Sequence, residues 1–169
     1  KSARHGKSPC RRGVECGMKT DTPQTLTVIC CAVFKAEILV LKERNWPDLV
    51  IDFLSSMLHM RPEKLASRLD TRLKENILGQ NALLIYGDCC MQMEEFTKRP
   101  GVIRVRGNNC CDLLLGSKQY RQLSHEGAFF LFPEWAKRWH HIFSTELGLN
   151  NANARSLMGE MHQKLVYLD

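Results

Sequence analysis

Six of the eight cysteines in this chain come as adjacent pairs, Cys30-Cys31, Cys89-Cys90 and Cys110-Cys111. Each pair follows a short apolar run: Leu26-Thr27-Val28-Ile29, then Leu83-Leu84-Ile85-Tyr86, then Val102-Ile103-Arg104-Val105. The last two runs stop at Gly87 and Gly107 and deliver their cysteines just ahead of a helical pattern. Thiolates are ligands for zinc, copper(I) and iron–sulfur clusters, so three pairs converging from separate strand ends would make an open metal site. No C-x-x-C spacing is present, and the competing reading is packing. A buried cysteine behaves as a small hydrophobe, and alternate strand residues face opposite ways, so half of each pair turns from the site.

His59 stands in Leu58-His59-Met60-Arg61-Pro62, between a second strand and its helix, and so at the same sheet edge as the thiols. It is read as a fourth ligand or proton carrier, against a histidine that caps the next helix or bonds a carbonyl. Asp88 and Asp112 flank the cysteine pairs as acids or as helix caps. His140-His141 lie side by side on a helix, point in different directions and make a poor metal site. Met57, Met60, Met91 and Met93 read as core filler. Neither a G-x-G-x-x-G nor a P-loop spacing occurs, which leaves nucleotide binding unsupported, and G-x-S-x-G and H-E-x-x-H are missing. A hydrolase would have to use a cysteine with His59 and no visible orienting partner. Whether the chain is an enzyme stays open.

The elements that position these residues follow from periodicity. Leu26–Ala32 reads as a first strand buried on both faces, followed by a helix carrying Phe34, Ile38 and Leu41 and ending near Asn45-Trp46-Pro47. Leu49–Leu54 is a second strand. Pro62 opens a helix whose buried stripe is Leu65, Leu69, Leu73 and Ile77, closed by Gly79. Ala82–Tyr86, Val102–Val105 and Ala128–Phe132 are further strands. Met91–Lys98 and the segment bearing Leu113, Leu114, Tyr120 and Leu123 are the helices between them. From Pro133 the chain reads as helical, with Trp135, Trp139 and Ile142-Phe143 on one face, then a helix near Ala152–Met161. Leu165–Leu168 is a sixth strand or a docked tail. Strands alternating with helices predict an α/β fold: a mostly parallel, Rossmann-like doubly wound sheet of five or six strands with helices on both faces. Its carboxyl edge, where open α/β sheets bind ligands, collects all three cysteine pairs.

Charge and length bound the rest. The net charge is +6, but residues 1–25 hold six basic against two acidic residues and the remainder eighteen against sixteen. The basic excess is thus concentrated in an arm over residues 1–25, ahead of one domain over 26–169, which argues against nucleic-acid binding. No apolar run reaches the ~20 residues of a spanning helix, and no secretory h-region is present. Lys1 is not an initiator methionine, so the chain is read as processed or truncated at this end, and the arm as the remnant of an organellar (chloroplast or mitochondrial) targeting peptide or a docking arm on a soluble intracellular protein. The thiols of the paired cysteines are read as reduced, because disulfide scaffolds belong to smaller, loop-rich secreted chains. Cys10 and Cys16, spaced C-x5-C, are linked or free.

Several stretches together resemble a known family. They are Leu58-His59-Met60-Arg61-Pro62-Glu63, Tyr86-Gly87-Asp88-Cys89, Asn109-Cys110 leading into Leu113-Leu114-Leu115-Gly116-Ser117, and Gly127 to Pro133 with Trp135. In order they are similar to an LHNRPE-like turn, a YGxCG motif, an HDCxxLLLGS motif and a PGW close. These mark a domain-of-unknown-function family of methanogens and anaerobic bacteria, often encoded near corrinoid methyltransferases. The resemblance covers about residues 26–169. It implies a site on Cys31, Cys89 and Cys110 with His59 beside them, suited to zinc, an iron–sulfur cluster or a corrinoid-related role. The chain departs from the pattern at Asn108, Cys90 and Glu134, which stand where the family has a histidine and two glycines. Two functions are therefore expected. One is a small metal- or cluster-binding module. The other is a non-catalytic accessory subunit of a larger assembly, with a protein partner held by the arm and the Trp135/Trp139 helix.

Overall fold

The computed structural model of the protein describes residues 26–75 and 81–168. The arm, Ile77 and Gly79 lie outside the described residues.

β1 (Leu26–Cys31), β2 (Val50–Leu54), β3 (Asn81–Ile85) and β4 (Val102–Arg104) form one sheet in the order β2-β1-β3-β4. Every pairing in it is parallel. β1 is flanked on both sides, and a central parallel strand sees covering layers on both faces. That is why Val28, Ile29 and Cys30 make one apolar run with no alternation, all essentially inaccessible. Order and direction match the Rossmann-like expectation. The chain steps outward from β1 to β2, then returns past β1 to β3, so the strand order reverses between β1 and β3. The carboxyl ends of those two strands frame the crevice where such sheets bind ligands.

The remaining two strands do not join that sheet. β5 (Ala128–Leu131) pairs in parallel with β6 (Lys164–Tyr167) as a separate two-stranded sheet. Leu165–Tyr167 is thus a strand rather than a docked tail, and the six strands divide four and two. Gly127 enters β5 at φ +70, a conformation glycine adopts without steric cost.

The helices follow their apolar spacing unevenly: the one after β1 buries none of its residues and leaves the expected Leu41 47% exposed, whereas the one after β2 keeps its stripe. α1 (Lys35–Asn45) follows β1 through a short 3-10 turn, Ala32–Phe34. α2 (Pro62–Glu75) starts on proline and buries Leu65, Leu69 and Leu73, the predicted stripe, with its charges outward. Arg72 of α2 reaches Asp52 of β2 at 2.8 Å, and Asp70 holds both Lys74 and Arg99 at 2.6 Å. α3 (Met93–Thr97) is shorter than its periodicity suggests. Met91 is 96% exposed whereas Met93 is buried, so the first turn of the expected helix has nothing to pack on. The segment after β4 is two helices, α4 (Cys110–Leu115) and α5 (Ser117–His125), because Gly116 takes φ +77 and breaks the run. α6 (Pro133–Lys137) precedes a π-helical turn, His141–Glu146, and α7 (Asn151–Met161). No helix among the described residues is long and apolar enough to cross a membrane.

Candidate functional site

Each sheet strand hands its chain to a loop at one edge, and the four loops carry the four expected residues. Cys31 is the last residue of β1, and Cys30 before it is 0% exposed in the core. The Cys30 thiol donates to the Cys31 carbonyl at 3.3 Å, so the inner member of that pair is spent on packing and a local bond. His59 sits in the 3-10 turn Ser56–Met60 after β2, entered through Ser55, whose hydroxyl accepts from the Met57 amide.

Cys89 and Cys110 meet because two loops lie almost in contact. A Cβ on Gly87 would stand 2.4 Å from the Asn109 Cα and 2.6 Å from the Asn108 carbonyl oxygen. Only glycine permits that approach, and the Asp88 amide then donates to the Asn108 carbonyl at 2.8 Å. The second loop is tied from within. Asn109 caps α4 by accepting from the Asp112 amide at 2.9 Å and donates to the Tyr120 hydroxyl at 2.7 Å. Asp112, a buried carboxylate, accepts from the Asn108 amide at 2.8 Å and the Ser117 hydroxyl at 2.7 Å. Those bonds hold its carboxyl below the ordinary carboxylate range. Asp112 is therefore a tether of the cysteine loop, and Asp88 is engaged with Arg104 at 2.6 Å.

The outer sulfurs are joined by hydrogen bonds. The Cys110 thiol bonds both Cys31 and Cys89, and Cys89 also bonds His59. The protonation pattern follows. Bonding to Cys110 lowers Cys31 despite its burial, and the same bond with help from His59 lowers Cys89 to about 5. Cys110, serving as the donor, is raised. The bond to Cys89 raises His59. The neighbouring sulfurs and imidazole thus favour the thiolate at Cys89 and Cys31 and the protonated ring at His59, while the charges of Cys89 and Glu134 act against ionisation of Cys31. Among the described residues, no group of three or more His, Cys, Asp or Glu side chains is arranged so that it could hold a metal ion.

Cys31, His59, Cys89, Cys110 and Cys111 line a cavity of about 220 Å³, closed by Val33, Leu65, Phe132 and Trp135. The Trp135 ring packs against His59 with centroids 5.7 Å apart and against Phe132 at 6.0 Å. Trp135 therefore faces the site, while Trp139 is 46% exposed and stacks on Phe143. His140 and His141 are taken up by Ser144 and Glu146, away from this cavity. Sequence reasoning missed Ser56 and Tyr86, both 2% exposed and both lining the cavity. Their polar atoms, with Trp135 Nε1, are buried without a hydrogen-bond partner. Tyr86 ends an apolar run, and nothing in its neighbours distinguishes a hydroxyl facing a cavity from one facing solvent.

Fold and site define a class: a parallel α/β protein with a thiol-lined crevice where the strand order reverses. More particularly, the chain belongs to the family described as a protein of unknown function (DUF1638), whose model matches residues 53–169. That stretch takes in His59, Cys89 and Cys110 and leaves out Cys31, whereas the resemblance read from motifs extends to residue 26. No curated protein and no solved structure gives a match.

Proposed function

We propose that this protein is a metal-binding module whose centre is held by Cys31, Cys89 and Cys110, with His59 as the fourth donor. The observation that carries it is the meeting of Cys31, Cys89, Cys110 and His59 along one cavity, with Cys110 hydrogen-bonded to both other sulfurs. Ionised sulfurs gathered in a half-buried pocket concentrate negative charge, and a cation relieves that more fully than a proton does. Metal–sulfur bonds of ~2.3 Å at tetrahedral angles set two sulfurs ~3.8 Å apart, close to the spacing of hydrogen-bonded thiols. That favours one ion over a [4Fe–4S] cluster, in which each thiolate binds a different iron and the sulfurs stand farther apart. Three thiolates and an imidazole suit zinc or another borderline ion. Bound there, such an ion would supply fixed positive charge and Lewis acidity beside the cavity.

A cysteine nucleophile activated by His59 is the weaker reading. Next to Cys89, the imidazole meets the Trp135 ring, which cannot orient it as a carboxylate or amide would.

The test is anaerobic purification followed by elemental analysis and a visible spectrum, on the natural chain and on Cys31→Ser, Cys89→Ser and Cys110→Ser. One zinc or similar ion per chain, lost in all three variants, is expected. Iron with acid-labile sulfide and a visible band would replace the single ion with a cluster. A colourless, metal-free, stably folded protein would overturn the proposal.

A further inference from the structure

α1 presents an apolar stripe that its own sheet does not use. Ile38 packs against the core, yet no residue of the helix is buried. Ala36, Leu39, Val40 and Glu43 fall at i, i+3, i+4 and i+7, share one face, and are all exposed. Leu39 and Val40 stand 43% and 46% open to solvent, and Trp46, directly after the helix, 59%. Lys35, at the start of α1, reaches the Phe53 ring of β2 at 5.9 Å, and β2 is the outermost strand on that side of the four-stranded sheet. Single exposed apolar residues are ordinary, but a stripe at helix-packing spacing marks an interaction surface.

Charge says what covers it. Along the row Lys35, Leu39, Glu43, a cation lies four residues before the leucine and an anion four residues after it. A twofold axis crossing α1 at Leu39 sets two copies of the helix antiparallel. It lays Leu39 on the partner's Leu39 and brings Lys35 beside the partner's Glu43, twice over. Of the charges in the last turn, Glu43 is the one on the stripe, and Lys42 and Arg44 stand about 100° to either side of it. Glu43 has no ion-pair partner among the described residues. A parallel mate would instead set lysine on lysine and glutamate on glutamate, so the same pattern disfavours the wrong arrangement.

We propose that α1 is the contact of a homodimer, antiparallel about a twofold axis, with Leu39 and Val40 at its centre and two Lys35–Glu43 ion pairs at its rim. It uses none of the residues of the metal reading and stands or falls apart from it.

The full chain, in reducing buffer, is followed by sedimentation velocity over a range of concentrations. A reversible dimer is expected, and Leu39→Glu should leave monomer. Lys35→Glu and Glu43→Lys should each raise the dissociation constant at least about tenfold, because each sets like charges together twice. The double exchange should recover most of that loss, since every pair is then opposite again. Both single exchanges place the new charge where the helix dipole favours it, so the fold is kept, which circular dichroism checks. A monomer at the highest soluble concentration, a dimer that withstands Leu39→Glu, or single reversals that the double exchange does not offset would overturn the proposal. Zero-length carbodiimide coupling of mixed ¹⁴N and ¹⁵N chains decides without any variant. Lys35 joined to Glu43 between a light and a heavy chain supports the antiparallel dimer. Absence of that link, or Glu43 joined instead to a lysine of residues 1–25 in its own chain, overturns it.

Discussion

Cys30, Cys90 and Cys111 differ from Cys31, Cys89 and Cys110 by one position in the chain, yet the two groups occupy different chemical worlds. Interior Cys30 and Cys90 are raised, chiefly by burial, and Cys111 is pushed up to about 11 for the same reason. At the rim, two of the three are lowered, because sulfur and imidazole neighbours stabilise the thiolate more than burial penalises it. Residue type alone therefore says little about a cysteine. What decides is whether the strand end turns it toward other polarisable groups or into hydrocarbon.

The widest separation between the two groups should come from truncating one of each. Cys31→Ala is expected to reduce bound metal below about a tenth, since even outer-shell partners cost 10–100-fold when removed. Cys30→Ala should keep the metal and lose about 1–2 kcal/mol of stability in urea titration, the signature of lost packing. Metal loss in both, or in neither, would erase the distinction.

Next in size is Gly87→Ala. The new methyl meets the backbone of Asn108 and Asn109, so the loops bearing Cys89 and Cys110 must separate. About 1–3 kcal/mol of destabilisation, with clearly weaker metal binding, is expected by denaturation and metal-competition titration. A neutral outcome would mean the approach of the two loops is not what joins the sulfurs.

Acidity gives a smaller but residue-specific contrast. In metal-free, reduced protein, iodoacetamide should label Cys89 at a near-constant rate from pH 8 down to about 6 and slow as pH falls through about 5. Cys111 should react appreciably only as pH approaches about 11. The folded value of Cys89 lies below its ordinary 9.0. Its ionisation thus contributes stability that is present above pH 9.0 and lost as pH falls through about 5. Peptide mapping by mass spectrometry reads the labelling site by site, and parallel profiles for the two cysteines would contradict the assignment.

The smallest expected effect is His59→Gln. Removing the imidazole withdraws one of the groups that lower Cys89, so the labelling midpoint should move upward while the bond from Cys110 keeps it below 9.0. An unchanged midpoint would place His59 outside the cluster.

Much of this was legible in the chain. Apolar runs ending in glycine mark β3 and β4, and the Leu65, Leu69, Leu73 spacing marks α2, because strand and helix periods are local properties of sequence. The motif resemblance pointed to Cys89, Cys110 and His59, and it also reached Cys31, which stands outside the family match. Less legible was the break at Gly116, since Leu113 to Leu123 keeps helical spacing across a residue whose φ of +77 ends the helix. Nor could spacing show that β5 and β6 pair with each other apart from the main sheet, because strand partners are chosen by long-range contacts.

Sequence alone determined the parallel α/β class and the strand ends that carry the thiols. Those outcomes follow from short-range patterns of size, polarity and turn-forming residues. Tertiary structure alone decided that Cys31, Cys89 and Cys110 meet along one cavity, and that Ser56, Tyr86 and Trp135, which also line it, leave polar atoms buried without partners. Both depend on loops from four strands meeting at one edge, and on the 2.4 Å approach that Gly87 allows, which no local pattern encodes.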